Sequence, residues 1–294
     1  MANSLGGLGL TVIAQEALPV LQPKVPVFDL FSTDFSSEVS QIGVGISTRI
    51  PTAVTATSFS KASGYAASDV TASAVTVNLS SHYHFTMGFT DVEASEMGLN
   101  KLQQAFIQPA VYSIVNQVQT DLFGLITSGN FPATTYSASY VNFGFNNLVQ
   151  GQKALDVSGS NTPRAAILNA PLTYSLLGDI KANYVLGDNS AIRQGVIGQL
   201  AGITVASAPL IGSGAGLAGV IAGKDSMAIA ARVPALQSTG NLYEVANVTA
   251  TNGYTMQLRQ WYSPDQGLWK ISAITIYGIA LGQGKSLVRI LTTD

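Results

Sequence analysis

The sequence has no cysteine, which removes disulfides and thiol chemistry from consideration. Two histidines in 294 residues leave little material for a histidine-based metal or acid/base site. Charge is scarce as well. Only 10% of residues are charged, against about a quarter in an ordinary globular protein. The net charge is −2 and no block or stripe of Lys and Arg exists, so a dedicated nucleic-acid reader is not expected. The motifs G-x-S-x-G, H-E-x-x-H and a Walker A loop are missing. Met1 to Leu30 carries no early basic residue, and Lys24 comes too late for a secretory n-region. The uncharged run from Ala201 to Gly223 is punctuated by Gly202, Pro209, Gly212, Gly214, Gly216 and Gly219, so it reads as loops between short strands and not as a spanning helix. A soluble protein assembled in a cytoplasm is the expectation.

Against these absences stands an apolar surplus. Hydrophobic residues make up 47% of the chain and mean hydropathy is +0.30. With so few charges to cover a surface, the surplus points to burial between subunits, because large obligate interfaces resemble a domain core cut in half. A neutral, Ser/Thr/Ala/Gly-rich secreted protein is the plainer alternative.

The strongest pattern runs from Val75 to Thr90. Odd positions read Val75, Val77, Leu79, Ser81, Tyr83, Phe85, Met87 and Phe89, apolar but for Ser81. Even positions Thr76, Asn78, Ser80, His82, His84, Thr86 and Thr90 are polar. This period of two predicts one long half-buried strand, well beyond the usual 5–6 residues or so. An upstream alternation, Ile42, Val44, Ile46, Thr48 and Ile50, predicts its hairpin partner, with a polar tip from Pro51 to Ser73. Thr90-Asp91-Val92-Glu93 fits a capping box and opens a long amphipathic helix to about Thr127, with Pro109 expected to kink or split it.

Residues 1–38 read as an extended arm, since Pro19, Pro23 and Pro26 oppose helix. After about Val141 the chain mixes a helix over 146–157, a buried strand over 165–168, a helix opened by Pro171 and a turn-then-strand from Gly195 to Ala208. Val220 to Ala231 reads as one more buried strand. The C-terminal part is β-rich, with Asn252-Gly253 as a type I′ hairpin signal, a turn at Ser263–Gly267, a strand over 269–277 and a last one over 287–291.

Three clusters invite a chemical reading. Gly214-Ala-Gly216-Leu-Ala-Gly219 matches G-x-G-x-x-G, yet the segment after it reads as strand and no acidic residue stands between Asp225 and Glu244, so a loop between strands is favoured over a phosphate cradle. His82 and His84 share one strand face and could bind a metal or sense pH, but only Asp91 stands near as a third ligand. Asp91, Glu93 and Glu96 suit the positive end of a helix dipole. Asn78-Leu-Ser80 and Asn247-Val-Thr249 are formal sequons without a secretory signal. No catalytic, metal or cofactor-binding residue is assigned.

Three segments, in this order and spacing, resemble the major capsid proteins of tailed bacteriophages with the HK97-type fold, nearest the P22-coat-like branch. They are His84-Phe-Thr-Met-Gly-Phe-Thr-Asp-Val-Glu93 with the helix through Pro109-Ala110; Arg164-Ala-Ala-Ile-Leu-Asn169 with Pro171, leading to Gly195, Gly198, Gly202 and Val205; and the C-terminal strands ending in Ile276-Tyr277-Gly278. The resemblance implies an α+β fold with an N-terminal arm (1–38), an E-loop hairpin (39–90), a spine helix and P domain (91–140), a mixed α/β A domain (141–240) and C-terminal strands of the P domain returning to the A domain (241–294). It implies a non-enzymatic shell subunit of an icosahedral head around double-stranded DNA, located in the virion. Its partners would be copies of itself in hexamers and pentamers, then portal, scaffolding and decoration proteins, with non-specific DNA contact and no membrane. Some members crosslink an E-loop lysine to a neighbour's asparagine. Lys61 sits at the hairpin tip here, but no asparagine follows Asn252, so plain packing is expected. The proline expected after Tyr277-Gly278 is absent from Ile279 to Ser286, which leaves the path of the last strand open. An encapsulin-like nanocompartment shell, a β-rich surface or fibre protein, and an enzyme with a site near Gly214–Gly219 are the alternatives.

Overall fold

A computed structural model describes residues 9–21, 25–51, 56, 58–59, 61, 64–65, 72–97, 99–160, 163–183, 198–211, 216–235 and 243–293. The chain starts with helix α1 (Gly9–Leu21), then strands β1 (Ser32–Ser40), β2 (Gly45–Pro51), β3 (Ala72–Asn78) and β4 (Ser81–Thr90). Helices α2 (Asp91–Met97) and α3 (Leu99–Gly124) follow. Next come β5 (Thr134–Ala138), α4 (Phe145–Val157), β6 (Arg164–Leu168), α5 (Ala170–Asn183), β7 (Gly198–Leu200), β8 (Ile203–Ser207) and β9 (Leu217–Gly223). The rest is β10 (Met227–Pro234), β11 (Tyr243–Thr249), β12 (Thr255–Ser263), β13 (Leu268–Leu281) and β14 (Leu287–Thr292).

These strands form two six-stranded sheets and one hairpin. The first sheet has the order β1-β10-β13-β12-β11, with β4 also paired to β13. The second has the order β5-β14-β9-β6-β8-β7, and among the described residues β2 pairs only with β3. Strand β13 organises the first sheet. It pairs with β12 over 268–274, with β10 over 276–281 and with β4 over 268–277.

Helix α3 forms because its apolar residues recur every three or four positions. Ile107, Val111, Ile114, Val118 and Leu122 are buried in one cluster with Leu10, Ala17 and Leu21 of α1 and with Met256, Leu258, Ile271 and Ala273 of the first sheet. Complete burial of each such aliphatic chain contributes roughly 1.5–3 kcal/mol. A second core lies between α4, α5 and the second sheet, built from Leu148, Leu155, Leu172, Leu176, Leu168, Ile221, Val288 and Ile290.

Several expectations change. Residues 9–21, expected to lie in an extended arm over 1–38, are helical with Pro19 inside the helix. Pro19 lies exposed in the last turn, as does Gln15, whose carbonyl loses the hydrogen bond that proline cannot donate, and burial of Leu10, Ala17 and Leu21 against α3 prevails. Phe28, Phe31 and Phe35 dock on their own chain, with the Phe28 and Phe35 rings 5.7 and 5.3 Å from that of Tyr254. Burial pushes the Tyr254 phenol up to about 12. Residues 91–97 and 99–124 are helical, and Pro109, expected to kink or split the helix, lies inside α3. The run from Val220 to Ala231 is two strands in different sheets, β9 and β10.

The turns also exchange roles. The Asn252-Gly253 loop is a three-residue connection: Gly253 N donates to Ala250 O (2.9 Å) and Ala250 N to Tyr254 O (2.9 Å), with Gly253 alone in the left-handed region at φ 86°. A type I′ turn needs positive φ at both central residues. Ala201-Gly202 meets that requirement, at φ 53° and 76°, between the paired Leu200 and Ile203.

The chain crosses between the two sheets three times, after α3, after β9 and after β13. The last two passages bind each other: Gly282 N donates to Ser226 O and Gln283 N to Asp225 O, both at 2.9 Å. The buried Arg289 of β14 donates from Nε to Phe131 O (2.7 Å) on the first passage. This settles the path of the last strand, which lies between β5 and β9.

Candidate assembly surfaces

The β2–β3 hairpin has a fixed root. The single strand expected from Val75 to Thr90 breaks at Leu79-Ser80 into β3 and β4, which join different sheets. Ser80 N donates to Asn78 O (2.8 Å), Leu79 N to Val44 O (3.0 Å) and Gly43 N to Leu79 O (2.9 Å). Val77 and Leu79 are buried against Ala228, Ala230 and Ile276. Gly278 of β13 lies so close to Asn78 that a β-carbon there would overlap the Asn78 carbonyl oxygen. The hairpin thus leaves the first sheet from a packed base. Ile42 and Val44 beside that base stay exposed.

Along β4 the expected alternation holds, but its apolar face is only partly covered. Phe89 is buried under Phe106 of α3, ring to ring at 6.0 Å. Phe85 is 44% exposed and Tyr83 37%. The Tyr83 ring stacks on Tyr277 at 5.8 Å, and the Tyr277 hydroxyl donates to Asp121 of α3. Burial first, then the Asp121 carboxylate, holds that phenol far above its ordinary value. Gln117 Nε2 steadies the same carboxylate at 2.8 Å. No sequence signal marks this Tyr277–Asp121 link, because 156 positions separate the two residues.

The opposite face of β4 is polar. His84 Nδ1 and Thr86 Oγ1 lie 3.0 Å apart, and Thr86 Oγ1 is 2.8 Å from Ser272 Oγ. The His82 and His84 rings sit side by side, centroids 6.5 Å apart. Burial, then His84 and Arg259, lowers the pKa of His82. Among the described residues no three His, Cys, Asp or Glu side chains gather as a metal site.

The acidic cluster serves the helix start. Glu93 Oε2 accepts from Thr90 N and Thr90 Oγ1 (2.9 Å each), and Glu93 N donates to Thr90 Oγ1 (3.2 Å). Those bonds to Thr90 hold the Glu93 carboxyl below its usual value. Asp91 accepts from the Tyr262 hydroxyl at 2.8 Å. Glu96 is exposed.

In the glycine motif, residues 212–215 lie outside the described residues. Gly216 N-terminal to β9 is packed on the last strand: a β-carbon would sit 2.5 Å from Thr292 O, and Thr292 N donates to Gly216 O (2.7 Å). A strand comes next, not the helix that a phosphate cradle needs. Lys61, the lysine considered for a crosslink, is exposed, and Asn252, the last asparagine of the chain, donates from its amide to Asp29 (2.9 Å).

The second unit carries an open groove of about 890 Å³ between residues 140–144 and α5. Tyr174 and Val141 line it and are strongly exposed. Its polar groups are engaged in holding the fold: Asp179 Oδ2 accepts from Phe145 N (2.7 Å), and the Ser175 hydroxyl donates to Phe143 O (2.8 Å). The groove offers mainly apolar contact area.

No family model matches the sequence, and no curated protein matches it significantly. Solved structures do match. The chain superposes on a capsid structure of the cyanophage P-SCSP1u with TM-score 0.60 and 9% identity, over 90% of this chain and 87% of the other. The fold is a phage-capsid fold. A Gordonia phage Cozz structure aligns with TM-score 0.62 and 14% identity over 93% and 87% of the two chains. A virus-like particle from Pyrococcus furiosus aligns with TM-score 0.53 and 9% identity over 94% of this chain and 98% of the other.

Proposed function

We propose that this chain is a major capsid protein, the self-assembling subunit of an icosahedral phage head that encloses double-stranded DNA. The observation that carries the reading is the capsid fold extending over about nine-tenths of the chain, joined to apolar side chains left exposed on both units. In this reading the β2–β3 hairpin is the E-loop, α3 the spine, the first sheet the P domain and the second sheet with α4 and α5 the A domain. Helix α1 and strand β1 pack on the P domain of their own chain. The hairpin overlaps an adjacent subunit, and the A-domain groove faces the centre of a pentamer or hexamer. DNA contact is non-specific, which agrees with the lack of a basic stripe. Portal, scaffolding and decoration proteins are the further partners, the virion is the location, and the P22-coat-like branch is the proposed kinship.

Negative-stain microscopy of the purified protein tests this directly: closed shells are expected. Deleting residues 52–73 should leave a folded subunit with native circular dichroism that forms no shells. Normal shells from that deletion would remove the hairpin from the assembly mechanism.

A second reading, a shell around protein cargo, draws on the near-complete mutual coverage with the Pyrococcus furiosus virus-like particle. Particles isolated from the native source separate the two: DNA inside supports the head, and a protein cargo without DNA supports the compartment.

A further inference from the structure

Sheet edges are templates for strand addition, and natural proteins guard them with charges, proline, bulges or short length. The edges of the first sheet differ sharply in this respect. Strand β1 carries Asp34 and Glu38, and its register shifts between Phe35 and Val39. Strand β11 carries Glu244. Strand β4 has none of these guards. Its ten residues, SHYHFTMGFT, include no Lys, Arg, Asp, Glu or Pro. It pairs with β13 in an unshifted register along its whole length, and among the described residues β13 is its only strand partner.

The sequence of β4 is also complementary to itself. Antiparallel strands bring opposite residues to the same face. With two copies centred on Phe85, Phe85 meets Phe85, Tyr83 meets Met87 and Ser81 meets Phe89 on the apolar face. On the polar face His84 meets Thr86 and His82 meets Gly88. A register centred between residues would set every apolar side chain against a polar one. Centring on His84 would oppose two histidines. The half-exposed rings of Phe85 and Tyr83 are the side chains that the partner would cover.

We propose that β4 is a seam between copies of this chain, pairing antiparallel with β4 of a second copy across a two-fold axis at Phe85 and continuing the first sheet through the contact. The seam rests on the assembly reading above and specifies one of its contacts.

The chain has no cysteine, so Phe85→Cys introduces a lone thiol. Mild oxidation of assembled Phe85→Cys particles should convert most chains to disulfide-linked dimers on a non-reducing gel. Val157→Cys, exposed on α4, should stay monomeric. The double variant Tyr83→Cys/Met87→Cys should also link, while each single variant does not, which keeps the seam testable if Phe85→Cys misfolds. Particles that form normally yet link through none of these thiols would overturn the seam and leave assembly standing. Dimers through His84→Cys in place of Phe85→Cys would overturn the register. An unsubstituted chain that stays a 30.6 kDa monomer at every concentration would overturn both the seam and the shell.

Discussion

Ala201 holds the left-handed backbone region at φ 53°, where a β-carbon costs roughly 1–2 kcal/mol. Asparagine tolerates that region better and suits the first position of a type I′ turn. Ala201→Asn is therefore expected to stabilise the protein by about 1 kcal/mol, raising Tm by roughly 2–4 °C in calorimetry. His82 supplies a pH dependence. Its pKa in the folded chain lies below the ordinary 6.5, so the unfolded chain binds the proton more readily. Its contribution is complete above pH 6.5 and is lost as pH falls from there through the lowered folded value. The urea midpoint should decline over that window, and His82→Gln should flatten the decline. An unchanged slope in the variant would assign the effect elsewhere. The face that holds His82 was legible in the alternation of β4, but Arg259 beside it was not, since it arrives from β12.

At the level of elements, local signals proved dependable where neighbours in sequence do the work. The Thr90–Glu93 capping box is complete, with all three bonds formed. Thr90→Ala should cost about 1 kcal/mol, seen as a lower thermal midpoint without loss of the sheet signal. Helices α4 and α5 and strands β6 and β14 also fall close to where the sequence pattern placed them. The errors share one cause, which is contact distant in sequence. The strand from Val75 to Thr90 breaks because Gly278 receives Asn78 and because Val44 pairs with Leu79. Residues 9–21 become helical against α3 despite Pro19. The strand expected over 220–231 divides because Lys224 and Asp225 lie on a passage between sheets. No periodicity within those segments carries that information.

For the whole molecule, the scarcity of charge sets the expected response to solvent. At about 1 M salt the screening length falls to roughly 3 Å, which would dissolve contacts held by surface ion pairs. Subunits joined through Phe85, Tyr83, Val141 and Tyr174 should instead remain assembled in such salt and separate in urea. Light scattering across both series checks this, and salt-driven dissociation would show that charge holds the particle.

The position of β14 bears on how the protein is made. It lies one strand in from the edge of the second sheet, between β5 and β9, although both of those strands leave the ribosome well before it. Among the described residues β5 has no strand partner but β14, so until β14 arrives β9 is an uncovered sheet edge and β5 has nothing to pair with. A nascent polypeptide stalled before residue 287 keeps that edge bare. Only a chain translated through β14 can cover it and bring β5 into the sheet.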